Sequence, residues 1–272
     1  MKSRLLYAAL GALALTTPVT AQTNPTVYGS VVFGHEWEDM EAPPYGLYSM
    51  PADNGNAIKL EVRNDAIKAN GGGVYVDGMY HLVDFTRYEF EQVVTFRTFD
   101  TKNNWKLINE QTIKSYSSAA SDLTYDPVGD KIYGCFKETA TSTQYFLGTL
   151  NPITGFASKI ADIDEELIVL ASTRDGKLYG VGAYGMLYSV DKLTGKLTKI
   201  GQTGKSVKYS QSATFDYASG RMLWAMTPHY TNESPELCEI DLSTGKTTTL
   251  ATIPERYEFT GIYTLSPYAA DN

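Results

Sequence analysis

The sequence has only one apolar run of any length, Leu5 to Leu15. A bilayer-spanning helix needs about 20 apolar residues, so no membrane span is expected. Cysteine is scarce too: Cys135 and Cys238 are the only two, which excludes a disulfide-stapled miniature fold. No G-x-S-x-G elbow occurs, and with it goes the commonest sequence signature of a serine nucleophile. Positive charge is the minority sign, 23 Lys and Arg against 31 Asp and Glu, for a net charge of −8. An acidic surface repels phosphate backbones, so nucleic acid is not an expected partner.

What is present begins with "MKSRLLYAALGALALTTPVTAQ". Lys2 and Arg4 precede the apolar run, and Thr20-Ala21 follows as a small-residue exit. That is the layout of a bacterial secretory signal cut after Ala21. Removal of Lys2 and Arg4 would take the net charge from −8 to −10. The expected organisation is a signal over 1–21 and one domain over 22–272. The product would be secreted, periplasmic or cell-surface, and no Cys stands at the cleavage point to carry a lipid.

The chain carries 20 Tyr and many Gly-centred turns, a composition that favours strands over helices. One turn is written repeatedly: "PADNGNAIKL" from Pro51, "DTKNNWKLI" from Asp100, "NPITGFASKI" from Asn151, "DKLTGKLTKI" from Asp191 and "DLSTGKTTTL" from Asp241. In the clearest copies Asp or Asn opens the bend and Gly supplies a left-handed backbone. Those carboxylates are read as structural. An alternating strand precedes each turn ("YFLGTL", "MLYSV", "ELCEI") and a polar strand follows it, suited to an exposed edge. Upstream lies a second hairpin, bent at Asp77-Gly78, Gly129-Asp130, Asp175-Gly176 or Ser219-Gly220. Strand, bend, strand, loop, strand, turn, strand is one propeller blade.

The termini complete each other. "TVYGSVVF" from Thr26 matches a second strand with no first, and "EFTGIYTL" from Glu258 a first strand with nothing after it. Paired, they close the ring and hide its last open edge. The expectation is an all-β, five-bladed propeller; six blades would need another hidden in 30–75. The D-x-x-T-G-K turn between alternating strands resembles the repeats of secreted bacterial β-propellers, including the quinoprotein-like and surface-layer-like groups. The resemblance implies the architecture alone, because the motif specifies a turn, and the Trp-docking pattern of quinoproteins does not recur. No cofactor and no metal site is expected.

Blade geometry puts the short bends and the T-G turns on one face, and the longer second-to-third-strand loops and blade linkers on the other. On that loop face fall His35, Trp37, Glu38, Asp39, Asp84, Arg87, Tyr184, His229 and Tyr230. Aromatics with carboxylates and an Arg around a central pit suit a sugar or a peptide. The preferred function is a monomeric, non-catalytic binding module for a glycan or an extracellular protein. A polysaccharide hydrolase with paired carboxylates, such as Asp84 with Glu38 or Glu165, is the first alternative; a structural part in a surface assembly is the second. His81 is aligned with Gly134 and Gly180 and read as packing at the hub. Cys135 and Cys238 fall on non-neighbouring blades, too far apart to bond, and are read as buried thiols.

Overall fold

The computed structural model describes residues 24–32, 42–85, 93–139, 142–207, 211–229 and 233–265. They form five antiparallel four-stranded sheets arranged as a five-bladed β-propeller. The proposed signal segment lies outside the described residues.

The first blade holds β1 (Thr26–Val32), β2 (Gly46–Pro51) and β3 (Lys59–Arg63). The second runs through β4 (Gly73–Val76), β5 (Met79–Phe85), β6 (Val94–Asp100) and β7 (Lys106–Ile113). The third has β8 (Ala120–Asp126), β9 (Lys131–Lys137), β10 (Tyr145–Leu150) and β11 (Ala157–Ile163). The fourth has β12 (Leu167–Ser172), β13 (Leu178–Gly182), β14 (Met186–Val190) and β15 (Leu197–Gln202). The fifth has β16 (Ser212–Asp216), β17 (Arg221–Met226), β18 (Glu236–Ile240) and β19 (Thr247–Thr252). The last strand, β20 (Glu258–Tyr263), returns to the first blade, whose order is β20-β1-β2-β3.

Closure therefore joins the two ends of the described chain. Tyr28 lies opposite Tyr263 and Ser30 opposite Thr260. The two hydroxyls of the latter pair sit 3.0 Å apart, and Thr260 donates onward to the Ala69 carbonyl. Tyr263 stacks between Tyr28 and Tyr75, with ring centroids 5.4 and 4.7 Å away. The Tyr80 hydroxyl donates to the Gly261 carbonyl at 2.7 Å. Aromatic stacking and buried hydrogen bonds thus seal the seam that a single chain has to close.

Apolar side chains pack between blades. Five core clusters occupy the five seams, for example Val83, Phe96, Phe136 and Leu150 between the second and third blades, and Val169, Val181, Met222 and Trp224 between the fourth and fifth. Both faces of the inner strands are covered, so β12 is buried along its whole length. Each outermost strand is instead largely exposed, as in β7 and β15.

The repeated turn has two physical requirements. Asp191 Oδ1 accepts the N–H groups of Leu193 and Thr194 at 2.8 and 3.0 Å, and Asn151 and Asp241 do the same for their own turns. Gly155, Gly195 and Gly245 then take φ of +72°, +70° and +78°. The second requirement is room, because each of these glycines presses on the preceding blade. A Cβ on Gly245 would lie 2.5 Å from the Gly201 carbonyl oxygen, and one on Gly195 would lie 2.9 Å from the Ala161 Cβ. The second blade spells its turn without glycine, and Asn104 and Trp105 take the positive φ instead. Trp105 there packs edge-on against Tyr80.

Two expectations about single residues meet different outcomes. Cys135 and Cys238 are free and buried, in β9 and β18 of non-adjacent blades. His81 needs correction: in the observed register Leu82, not His81, corresponds to Gly134 and Gly180. Val76 opposes Met79 across a two-residue bend, whereas Asp126 opposes Lys131 across a longer one. Matching the Tyr that precedes each position, Tyr80 with Tyr133 and Tyr179, slips by one position, and one position flips the face of a strand. His81 consequently points toward the third blade, stacked on Phe96 and hydrogen-bonded to Thr98, and not into the hub.

Candidate binding face

The hub is built from the innermost strands β4, β8, β12, β16 and β20. Halfway along β8, Asp122 is fully buried. Its Oδ2 accepts the N–H groups of Leu170 and Ala213, both at 3.0 Å, and its Oδ1 takes the Ser212 hydroxyl at 2.9 Å. Ser212 Oγ in turn accepts the Ile262 N–H at 3.1 Å. One side chain thus ties the third, fourth and fifth blades together, and through Ser212 reaches the closing strand of the first. Burial pushes the Asp122 carboxyl up to about 8, while the donors around it pull the other way. Toward the tight-turn face, the space between Tyr75, Thr124, Thr214 and Ile262 is only about 20 Å³, room for one water. Around Asp122 the inner strands are bolted to one another across the middle of the molecule.

On the loop face, three of the predicted residues are described: Asp84, Tyr184 and His229. The others, His35, Trp37, Glu38, Asp39, Arg87 and Tyr230, lie outside the described residues. Tyr184 stands at the tip of the β13–β14 turn with 85% of its surface exposed, held out by a turn in which Gly185 donates to the Gly182 carbonyl. The linker after β15 fastens that turn to the next blade. The Thr203 N–H and hydroxyl both donate to the Gly185 carbonyl, and the Ser206 carbonyl accepts the His229 N–H at 3.2 Å. Tyr184 and His229 therefore flank one short linker.

Asp84 stands apart on the second blade. It accepts the Asn70 N–H at 3.1 Å and faces Arg97 at 3.4 Å, while Arg97 also holds Glu110 at 2.7 Å. Its carboxylate braces the blade's entry linker as much as it faces outward. Glu165, the other carboxylate weighed for hydrolysis, belongs to the linker between the third and fourth blades. Its Oε2 accepts the Tyr188 hydroxyl, and its Oε1 is buried without a partner among the described residues. The carboxylate rests on the bare Cα of Gly182, where a Cβ would fall 1.9 Å from Oε1. Burial, followed by the nearby carboxylate, raises the Tyr188 phenol above its ordinary range. The neighbouring Glu166 is buried and accepts the Ser121 hydroxyl at 3.2 Å.

The linker aromatic Tyr257 is not free for a ligand either, since it packs edge-on to Tyr48 and lies under Arg256. Sequence reasoning missed Asp122 and the Glu165–Tyr188–Gly182 contact.

No protein-family model and no curated protein sequence matches the chain. Solved structures do resemble it. A gluconolactonase from Xanthomonas campestris matches at 12% identity over 88% of this chain and 79% of its own, with a TM-score of 0.47. An auxiliary nutrient binding protein from Bacteroides ovatus matches at 11% identity over 85% of this chain and 49% of its own, with a TM-score of 0.43. BamB from Moraxella catarrhalis matches at 13% identity over 83% of this chain and 66% of its own, with a TM-score of 0.36.

Proposed function

We propose that the chain is an exported, non-catalytic binding module whose loop face takes up a glycan or an extracellular protein. The observation that carries this reading is Tyr184, an aromatic ring almost wholly in solvent at the tip of a hydrogen-bonded turn. A ring held out in this way offers a flat apolar surface to a sugar or an apolar side chain, with its hydroxyl free to reach a polar group. The linker beneath it also accepts the His229 backbone N–H, so the turn that carries Tyr184 is fixed to the next blade and little is left to order on binding.

The hydrolase alternative asks for two available carboxyl groups set across a scissile bond. Asp84 is engaged by Arg97 and the Asn70 N–H, and Glu165 by Tyr188. Those partners favour binding over turnover.

The test is glycan-array binding together with hydrolysis assays on the wild type and on Tyr184→Ala, Asp84→Ala and Glu38→Ala. Tyr184 is largely exposed, so its loss should leave the fold intact and weaken binding by about tenfold, the worth of one stacking contact. Turnover of a polysaccharide that vanishes in Asp84→Ala or Glu38→Ala while binding persists would overturn the reading.

A further inference from the structure

On the opposite, tight-turn face, a cleft of about 640 Å³ opens between the second and third blades. It lies where one seam is built differently from three others. At those, a T-G-type turn meets the outermost strand of the blade before it: Gly55 against Thr252, Gly201 against Thr244 and Gly195 against Ala161. At this seam Gly155 sits instead on the Phe96 side chain of β6, where a Cβ would lie 2.4 Å from that ring's own Cβ. The turn reaches further inward and leaves a space beside β7, whose Ile108 is 49% exposed, and below Ile153, which is 75% exposed.

The walls are apolar: Ile108, Ile132, Leu150 and Ile153. The floor carries a polar group, because His81 lines the cleft while only 5% of its surface is exposed. Thr98 Oγ1 occupies its Nδ1 at 2.9 Å. The other ring nitrogen, Nε2, has no hydrogen-bond partner among the described residues and is not sealed from solvent. Burial holds the imidazole down to about 4, so it is neutral at physiological pH. At the mouth stand Asp77, Asp130 and Lys131, two anions to one cation, which disfavours an anionic guest.

We propose that this cleft is a binding site for an uncharged, mainly apolar small molecule carrying one hydroxyl group, with the hydroxyl meeting His81 Nε2. The volume falls in the range of small-molecule pockets, about 300 to 1,000 Å³. A hydroxyl both donates and accepts, so it satisfies Nε2 whichever tautomer the Thr98 contact selects. A carboxylate would have to approach past Asp77 and Asp130. A plain hydrocarbon would leave a buried ring nitrogen unpaired, which is the costly arrangement. The site lies on the other face from the proposed glycan or protein surface and stands independently of that reading.

The probe is 2-naphthol, compared with 2-methylnaphthalene, which replaces the hydroxyl by a methyl group, and with 2-naphthoate, which is an anion. Binding is followed by naphthalene fluorescence and by the imidazole ¹⁵N signals. The sequence has only three histidines, His35, His81 and His229, so the His81 ring can be assigned by substitution. The expected result is a saturable shift of the His81 ring nitrogens with 2-naphthol. The methyl analogue should bind about three- to tenfold more weakly, and the naphthoate more weakly still.

Ile153→Asp, at a largely exposed position that leaves the fold undisturbed, should weaken 2-naphthol by at least about tenfold. His81→Phe keeps a ring on Phe96 and should erase the preference for the hydroxyl. Where that variant fails to fold, Ile153→Asp and the analogue series decide alone. An unmoved His81 signal, 2-naphthol binding unchanged in Ile153→Asp, or equal affinity for the hydroxyl and methyl probes would overturn the proposal.

Discussion

Asp122 does more to define the centre of this protein than any other side chain. Its oxygens serve two backbone N–H groups and one hydroxyl drawn from strands 48 and 91 residues away. Replacement by Ala would leave the Leu170 and Ala213 N–H groups buried and unpaired, and should destabilise the fold by about 3 kcal/mol or more, read as a drop in the urea midpoint. The raised carboxyl also has a pH consequence of definite sign. Its folded value, about 8, lies above the ordinary 3.8, so the folded state binds the proton more tightly. The stability this group contributes is complete below about pH 4 and is lost as pH rises through about 8. Asp122→Asn keeps an acceptor facing both N–H groups but cannot titrate. The expected measurement is a urea midpoint that falls from pH 5 to pH 8.5 in the wild type and falls less in Asp122→Asn. An identical slope in both proteins would remove Asp122 as the cause.

The turn is the element whose chemistry is most fully explained. Gly220 and Gly245 share nearly the same left-handed φ, +73° and +78°, but differ in surroundings. A Cβ at Gly220 meets nothing within 4 Å, whereas one at Gly245 meets the Gly201 backbone. Gly220→Ala should therefore cost only the conformational penalty, about 1 to 2 kcal/mol. Gly245→Ala should cost clearly more, because the neighbouring blade has to move. Equal losses in a denaturant titration would show that close approach between blades contributes nothing.

The same comparison shows what the sequence carried and what it did not. The Asp-to-amide hydrogen bonds and the positive φ are local, so the D-x-x-T-G spelling announces them. The press of glycine on the preceding blade is not local, and no residue type announces it. The slip at His81 has the same origin. Bend length differs between blades two and three, so the Tyr before His81 does not correspond to the Tyr before Gly134, and matching the two misplaces a strand by one residue and turns its face over. The cleft beside His81 depends on how far one turn reaches across a seam, and Asp122 depends on backbone donors far along the chain. Neither leaves a pattern in sequence. On the loop face, Tyr184 was legible because an exposed aromatic in a glycine-flanked turn has no core to fill. Asp84, expected as a loop-face carboxylate, lies near the end of β5 and is tethered to Arg97 and the Asn70 N–H, partners that no local pattern announces.

At the scale of the whole molecule, five similar blades divide the work. Their inner strands form a hub held by Asp122 and by the tyrosine stack around Tyr263. Their outer strands are polar edges. The ring stands or falls with the pairing of β1 and β20, because that ladder alone joins the beginning of the first blade to the strand that completes it. The direct test is a cross-link across that ladder, with Ser30→Cys and Thr260→Cys introduced together at positions that face each other. Paired antiparallel residues have Cα atoms about 4.5 to 5.5 Å apart, inside the range a disulfide accepts. Under oxidising refolding, peptide mapping should find residues 30 and 260 joined within one chain. The urea midpoint should rise on oxidation by the equivalent of about 2 to 4 kcal/mol. Two free thiols, or a link formed only between separate chains, would contradict a ring closed by its own two ends.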